Sequence, residues 1–371
     1  MRFGAVLLGL VSVAVGAQAA PFSEARCYVD GFETPVRCVS VAVPLDYARP
    51  LGETIKVTAA IVPATTARPQ GDPLFVFAGG PGQAATGMGP WLDSAFRPAR
   101  RERDVVLFDI RGTGLSGAFD CRFSLVSEGD TAGVFKRDAA ACAVKVGSKA
   151  AFLSSHEIVE DIERFRAALG YAKINLWGGS WGTRVAQHYV RRYGARVRAA
   201  VLDGATPADD SIFVSAPRYG QAALERMFAD CAKDIACVAA FPNLRANFEL
   251  ILKRAEAGPI MTEIIDPRTG KAQRVLVDRD GAAGFVRGAL YAGFTRSVAP
   301  YAIEQGAKGN FAPLAALGST TTEWSVETMS LASMLGSLCG EDQARAPMND
   351  FISGTGWNAT LGQRKTSLVQ K

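Results

Sequence analysis

The sequence predicts an α/β protein built on a mostly parallel sheet with helices on both faces. Short, near-continuous apolar runs alternate with helical stretches through the first half of the chain, and several runs end in glycine-rich turns. Apolar strands without polar alternation belong to sheets buried on both faces, and strand–helix alternation builds parallel ones. A change of pattern after Pro207, from alternation to helical periodicity, predicts a helical block set on that core.

The elements follow in order. Residues 39–43 and 55–62 read as β-branched strands, separated by the turn-rich stretch from Asp46 to Gly52. Residues 74–77 form a short buried strand that runs into Gly79-Gly80-Pro81-Gly82, and residues 105–108 form another that ends in Asp109. Residues 155–169 show helical spacing, with Ser155 as N-cap and Ile158, Ile162, Phe165 and Leu169 on one face. A strand over 174–177, a helix over 181–193 and a strand over 199–202 complete the core, the last ending at Asp203-Gly204. Beyond Pro207, residues 216–239, 244–257, 281–290 and 327–338 read as helices, and only 275–277 as strand. A helical insertion on such a core reads as a lid over a site. The expected division is a core over 20–206, a lid over 207–342 and an irregular tail over 343–371.

Arg2, an apolar run from Phe3 to Gly16, and Ala17-Gln18-Ala19 have the form of a secretory signal over residues 1–19. The run is short for a bilayer span, which needs about 20 residues. Export is therefore expected, to periplasm or medium, with no stable membrane insertion after signal removal. Seven cysteines agree with an oxidising compartment. Six fall into close pairs, Cys27/Cys38, Cys121/Cys142 and Cys231/Cys237, which read as disulfides. Cys339 is left over, as a free thiol, an intermolecular bridge or a residue whose partner is missing. Two histidines and no Cys-x-x-Cys argue against a zinc site, so no metal or cofactor is expected. The net charge of +5 is spread without a basic stripe, which argues against a nucleic-acid partner.

Gly178-Gly179-Ser180-Trp181-Gly182 carries the chemistry. A Gly-x-Ser-x-Gly motif that closes an apolar strand and opens a helix is the context of a nucleophile elbow. There the serine is forced into strained backbone geometry, and neighbouring side chains would collide. Ser180 is the candidate nucleophile. Ala78-Gly79-Gly80-Pro81-Gly82 follows the earlier strand, where a second oxyanion donor belongs, and Gly80-Pro81 is a candidate cis peptide. The N–H groups of Gly80 and Trp181 form the expected oxyanion hole, each worth roughly 3–4 kcal/mol at the transition state. The loop from Asp109 to Ser116 has only Gly-x-Gly spacing, so it reads as scaffold and not as a dinucleotide fingerprint.

In this order the motifs resemble those of α/β-hydrolase peptidases of the prolyl aminopeptidase and secreted tripeptidyl aminopeptidase type. The matching segments are Val43-Pro-Leu-Asp-Tyr47, Gly79-Gly-Pro-Gly82, Asp109-Ile-Arg-Gly-Thr-Gly-Leu-Ser116, Gly178-Gly-Ser-Trp-Gly182, Val201-Leu-Asp-Gly204 and Cys339-Gly-Glu-Asp342. Ala78 stands where many such peptidases have histidine. The resemblance implies the α/β-hydrolase fold, a peptide substrate, and release of residues from a free N-terminus through an acyl-enzyme on Ser180. Glu341 and Asp342 resemble a lid-side acidic pair that would hold the substrate ammonium.

The base is the gap. In this fold the triad runs serine, acid, histidine along the chain. His156 precedes Ser180, and His188 lies eight residues along the elbow helix, roughly 12 Å from it along the axis. Neither fits the role. Asp203, at a strand end, is an alternative acid, although a turn before Gly204 explains it as well. The resemblance implies further strands after Asp342, carrying the acid and then the histidine. Residues 344–371 are short and polar and match nothing expected there. The expectation is thus a C-terminally truncated or frameshifted peptidase with its last strands missing and little or no turnover. An esterase on the same scaffold, or a catalytically dead remnant or binding protein, are the other readings.

Overall fold

The computed structural model describes residues 22–117, 121, 131–267 and 269–345. The signal expected over residues 1–19, and the tail beyond Arg345, lie outside the described residues.

Strands β1 (Phe22–Cys27), β2 (Val36–Pro44) and β3 (Thr54–Val62) open the chain as an antiparallel meander. The turn between β2 and β3 folds tightly, with Arg49 N–H donating to Asp46 O and Gly52 N–H to Arg49 O. So short a connection joins only antiparallel neighbours. The sheet is therefore mixed, which refines the mostly parallel expectation. β4 (Leu74–Phe77) leads through α1 (Gly89–Ala95) and α2 (Arg97–Arg100) to β5 (Val105–Asp109). α3 (Thr131–Val146) and α4 (Ser155–Ala168) precede β6 (Ile174–Gly179), α5 (Gly182–Tyr193) precedes β7 (Val197–Asp203), and all four late strands are parallel. The order across the sheet is β1-β2-β3-β5-β4-β6-β7.

β4 and β5 are buried along their whole length. Their aromatic side chains interlock with α4, Phe108 meeting Phe165 edge-on at 5.2 Å between centroids. On this face Ile158, Ile162, Trp181, Val185 and Tyr189 fill the space between α4, α5 and the sheet. Arg111, just past β5, is wholly buried. Its Nε and Nη2 meet Asp161 of α4 at 2.7 and 2.6 Å, and its other donors reach the carbonyls of Pro44, Leu45 and Phe152. Tyr47 donates to the same carboxylate at 2.8 Å. One guanidinium thus joins the end of β2, the loop after β5 and α4.

A second core belongs to the helical block. α6 (Ile212–Lys233), α7 (Ile235–Ala240), α8 (Leu244–Ala257), the hairpin β8 (Ile260–Ile265) with β9 (Ala272–Val277), α9 (Arg279–Ala289), α10 (Gly293–Ala307) and α11 (Ala312–Thr328) enclose Phe248, Ile251, Val286, Ile303 and Leu314. The single helix expected over 216–239 is two, because Asp234 leaves helical geometry and caps α7 by accepting from Cys237 N–H at 2.9 Å. Likewise α12 (Leu331–Ser337) starts afresh at Ser330, whose hydroxyl accepts from Ser333 N–H. α4 starts at Ser155, with Ser154 in the cap position. The three cysteine pairs Cys27–Cys38, Cys121–Cys142 and Cys231–Cys237 stand at disulfide distance, and Cys339 is free.

At the end of the sheet β7 is exposed from Arg198 to Asp203, with Val201 at 53% and Leu202 at 42%.

Candidate active site

β4, β5 and β6 run in the same direction, so their C-terminal ends converge on one rim of the sheet. Ser180 sits there, between the end of β6 and the first turn of α5. Its φ is +51°, a region non-glycine residues avoid. Such strain persists only where the surroundings over-determine it. They do here. Ser180 N–H donates to Asp203 O at 2.8 Å, and Thr183 returns two bonds to Ser180 O, from its amide at 3.0 Å and its hydroxyl at 2.6 Å.

The glycines of the motif are required by space. A Cβ on Gly182 would lie 2.3 Å from Phe77 O, and one on Gly178 would lie 2.4 Å from Gly182 O. Helix α5 therefore starts pressed against the end of β4.

The loop after β4 packs against the serine from the other side. A Cβ on Gly79 would lie 3.1 Å from Ser180 Cβ and 3.5 Å from its Oγ. Gly80 follows with φ +109°, and the Gly80-Pro81 bond is cis. The loop is tied on both sides: Gln83 N–H donates to Gly79 O at 3.3 Å, and Ser330 N–H to Gly82 O at 2.8 Å. Trp181 is the N-cap of α5, so its N–H has no place in the intrahelical ladder. Neither the Gly80 nor the Trp181 N–H is engaged by a backbone acceptor among the described residues. The structure thus brings together one strained serine and the loop carrying the second expected donor.

The remaining candidates fall elsewhere. Asp342 is fully buried and accepts from Arg184 Nη1 at 2.8 Å and from Ile212 N–H at 3.0 Å. Glu341 accepts from both the amide and the hydroxyl of Ser155, at the first turn of α4. Glu341 is engaged at both oxygens as it caps α4, whereas Asp342 ties α5 to α6 through Oδ1 and keeps Oδ2 buried without a hydrogen-bond partner among the described residues. Arg184 was not read from the sequence, since a basic residue on a polar helix gives no sign of burial. Asp203 is exposed, and its contact with the serine is through the main chain. His156 is exposed on the first turn of α4. His188 lies on α5 with Nε2 buried and unpartnered. Among the described residues no cluster of metal-ligating side chains occurs, and no helix is long and apolar enough to cross a membrane.

Burial lowers the His188 pKa from 6.5, with the Glu341 charge opposing and Arg191, Arg345 and Arg184 reinforcing. The unfolded chain then binds the proton more readily than the folded one. Stability from this group is complete above about pH 6.5 and is lost as pH falls from there toward the lowered folded value. His188→Gln should reduce the loss of urea stability between pH 7.5 and pH 5. An unchanged difference between the two urea midpoints would remove His188 from the acid response.

Residues 72–233 match the alpha/beta hydrolase fold family model. The serine protease Hip1 of Mycobacterium tuberculosis (strain ATCC 25618 / H37Rv) is 30% identical over 224 residues, 54% of this chain and 42% of that protein. Carboxylesterase B of the same organism is 35% identical over 225 residues, covering 54% and 42%. The tripeptidyl aminopeptidase of Streptomyces coelicolor (strain ATCC BAA-471 / A3(2) / M145) is 26% identical over 221 residues, covering 53% and 40%. The match thus spans less than half the length of these relatives. Sheet order, elbow geometry and the family match over residues 72–233 agree: this chain carries the α/β-hydrolase fold, with hydrolases among its relatives.

Proposed function

We propose that Ser180 is the nucleophile of an exported serine hydrolase that releases residues from peptide N-termini. The observation that carries the reading is the forced left-handed backbone of Ser180 at the junction of β6 and α5, with the Gly79-Gly80 loop packed against it. In this reading Ser180 Oγ adds to the scissile carbonyl. The oxyanion that forms faces the Gly80 and Trp181 N–H groups, which are fixed before substrate arrives. The C–N bond then breaks, the amine leaves with the proton that the Ser180 hydroxyl gave up, passed on through solvent water, and the acyl group stays on Ser180 until water hydrolyses it. The serine protease and tripeptidyl aminopeptidase relatives support the peptide as substrate. Three cysteine pairs at disulfide distance support an oxidising destination. The helical block of residues 207–342 is the lid in this reading.

The hydroxyl proton needs an acceptor, and neither histidine of the chain stands at the rim with Ser180. Acylation by these residues alone is slow. The carboxylesterase relative, at the higher identity, favours a second reading in which the acyl donor is an ester, whose alkoxide leaves without prior protonation more easily than an amine.

The test is a fluorophosphonate probe on residues 20–371, followed by aminoacyl and tripeptidyl anilides and by simple esters. The reading expects slow phosphonylation of Ser180, none in Ser180→Ala, and slow Ser180-dependent turnover that favours peptides. Preference for esters selects the second reading, and labelling unaffected by Ser180→Ala overturns both.

A further inference from the structure

We propose that Asp109 is a positioning residue, holding the loop that presents the Gly80 N–H to Ser180. The proposal rests on the reading of Ser180 as nucleophile and of Gly80 as its oxyanion donor.

Asp109 is the last residue of β5, the strand beside β4 in the sheet. Its side chain is fully buried, yet its bonds go to loops. Oδ1 accepts from Thr86 N–H at 2.9 Å; Oδ2 accepts from the Thr86 hydroxyl at 2.7 Å and from Leu115 N–H at 2.8 Å. The carboxylate thus bonds the segment after β4 and the segment after β5 at once. It is also hemmed in. A Cβ on Gly114, at φ +43°, would lie 2.2 Å from Oδ2 and 2.8 Å from Ala84 Cβ. The main chain of Asp109 is fixed in turn, its carbonyl accepting from Ser116 Oγ, which itself accepts from the Thr58 N–H of β3 at 2.8 Å.

From this anchor the path to Gly80 is short and closed by its own bonds. Gly87 N–H donates to Ala84 O, Met88 N–H to Ala85 O, and Gln83 N–H to Gly79 O. The segment from Gly79 to Met88 therefore has little freedom once Thr86 is held. An oxyanion donor contributes only if its N–H already points where the charge develops, and a displacement of about 1 Å can cost on the order of a hundredfold in rate.

A carboxylate is an expensive choice here if packing alone is at stake. Burial pushes the Asp109 pKa up to about 6, against the opposing bonds from Thr86 and Leu115. Its distinction is that an ionised carboxylate accepts from several donors at once through charge-assisted bonds, whereas an amide nitrogen accepts from none.

The experiment measures fluorophosphonate labelling of Ser180 in the full chain, with the maximal rate separated from reagent affinity. The variants are Asp109→Asn and Thr86→Val, with Tyr47→Phe as control. Tyr47→Phe removes a bond to Asp161 and none to Asp109 or to residues 79–88, so it lowers stability while leaving the bonds of the Thr86 anchor in place. Asp109→Asn and Thr86→Val should lower the maximal labelling rate by roughly tenfold or more with reagent affinity unchanged, while Tyr47→Phe stays within about twofold of native. Labelling of both loop variants at the native rate overturns the proposal. If Asp109→Asn does not fold, Thr86→Val decides, since it deletes only the hydroxyl bond. If native Ser180 does not label at all, the nucleophile reading fails. The anchor is then judged by amide exchange over residues 79–88: at least roughly tenfold faster exchange in Asp109→Asn supports it, and unchanged protection overturns it.

Discussion

Asp161→Ala should cost about 3–5 kcal/mol, because it leaves the Arg111 guanidinium buried without a counter-charge. Both side chains are 0% exposed and meet through two bonds. Removing one member of such a pair is worse than removing both, since the remaining charge keeps its desolvation penalty and loses its compensation. Three carbonyls would still accept from Arg111, so the guanidinium cannot swing out to water without abandoning the ends of β2 and the segment before α4. A typical domain holds only about 5–15 kcal/mol in total, so the variant should lose a large share of its stability and unfold at a markedly lower urea concentration. The check is urea denaturation of native, Asp161→Ala, Arg111→Met and the double variant. Strong non-additivity is expected, the double variant being less damaged than the two singles summed. A cost below about 1 kcal/mol for Asp161→Ala would show that the pair does not organise this corner.

The second large effect is expected from one methyl group at Gly182. Its Cβ would lie 2.3 Å from Phe77 O and 2.6 Å from Ala78 O, both main-chain atoms of the β4 end that cannot rotate away. Relief requires α5 to back off from the sheet, and Ser180, bonded to Thr183 on that helix, must move with it. Overpacking of this kind costs about 1–3 kcal/mol, and more where backbone is the obstacle. Gly182→Ala should therefore lower the thermal midpoint and, in the fraction that folds, eliminate labelling of Ser180. Gly258→Ala is the control, since a Cβ there meets nothing within 4 Å. Retained labelling in Gly182→Ala would mean that the elbow tolerates a shift of its helix.

The elbow was legible because its chemistry is local. Three glycines around one serine, between an apolar strand and a helix, have few explanations besides a turn too tight for side chains. The strand β4 and the helix α8 were legible for the same reason: uniform apolarity in one, an unbroken periodic stripe in the other. What stayed hidden depends on distant partners. α10 carries Gly293, Pro300 and Gly306, breakers that mask a helix whose stability comes from Ala299, Ala302 and Ile303 packed into the second core. Arg184 and Asp342 lie 158 positions apart, so nothing local to either announces that they meet in the dark. A still longer separation hid the role of Glu341, whose carboxylate caps a helix 186 positions earlier. Asp109 is intermediate. Its loop was read as scaffold from its glycines, but which loop it braces emerges only when β4 and β5 lie side by side.

Among the described residues β7 is the last strand of the sheet, and its outer side bears on how this molecule behaves in a crowded tube. Among the described residues no strand pairs with that side, and residues 199–202 form an uncharged stretch between Arg198 and Asp203. Natural sheets usually guard such a border with lysine, proline or a bulge. Where the outer side of β7 is unpaired, an extended segment finds a template there, so recovery on refolding should depend on protein concentration. Because Asp203 O holds Ser180 N–H, a segment that pairs with the outer side of β7 is one strand away from the serine.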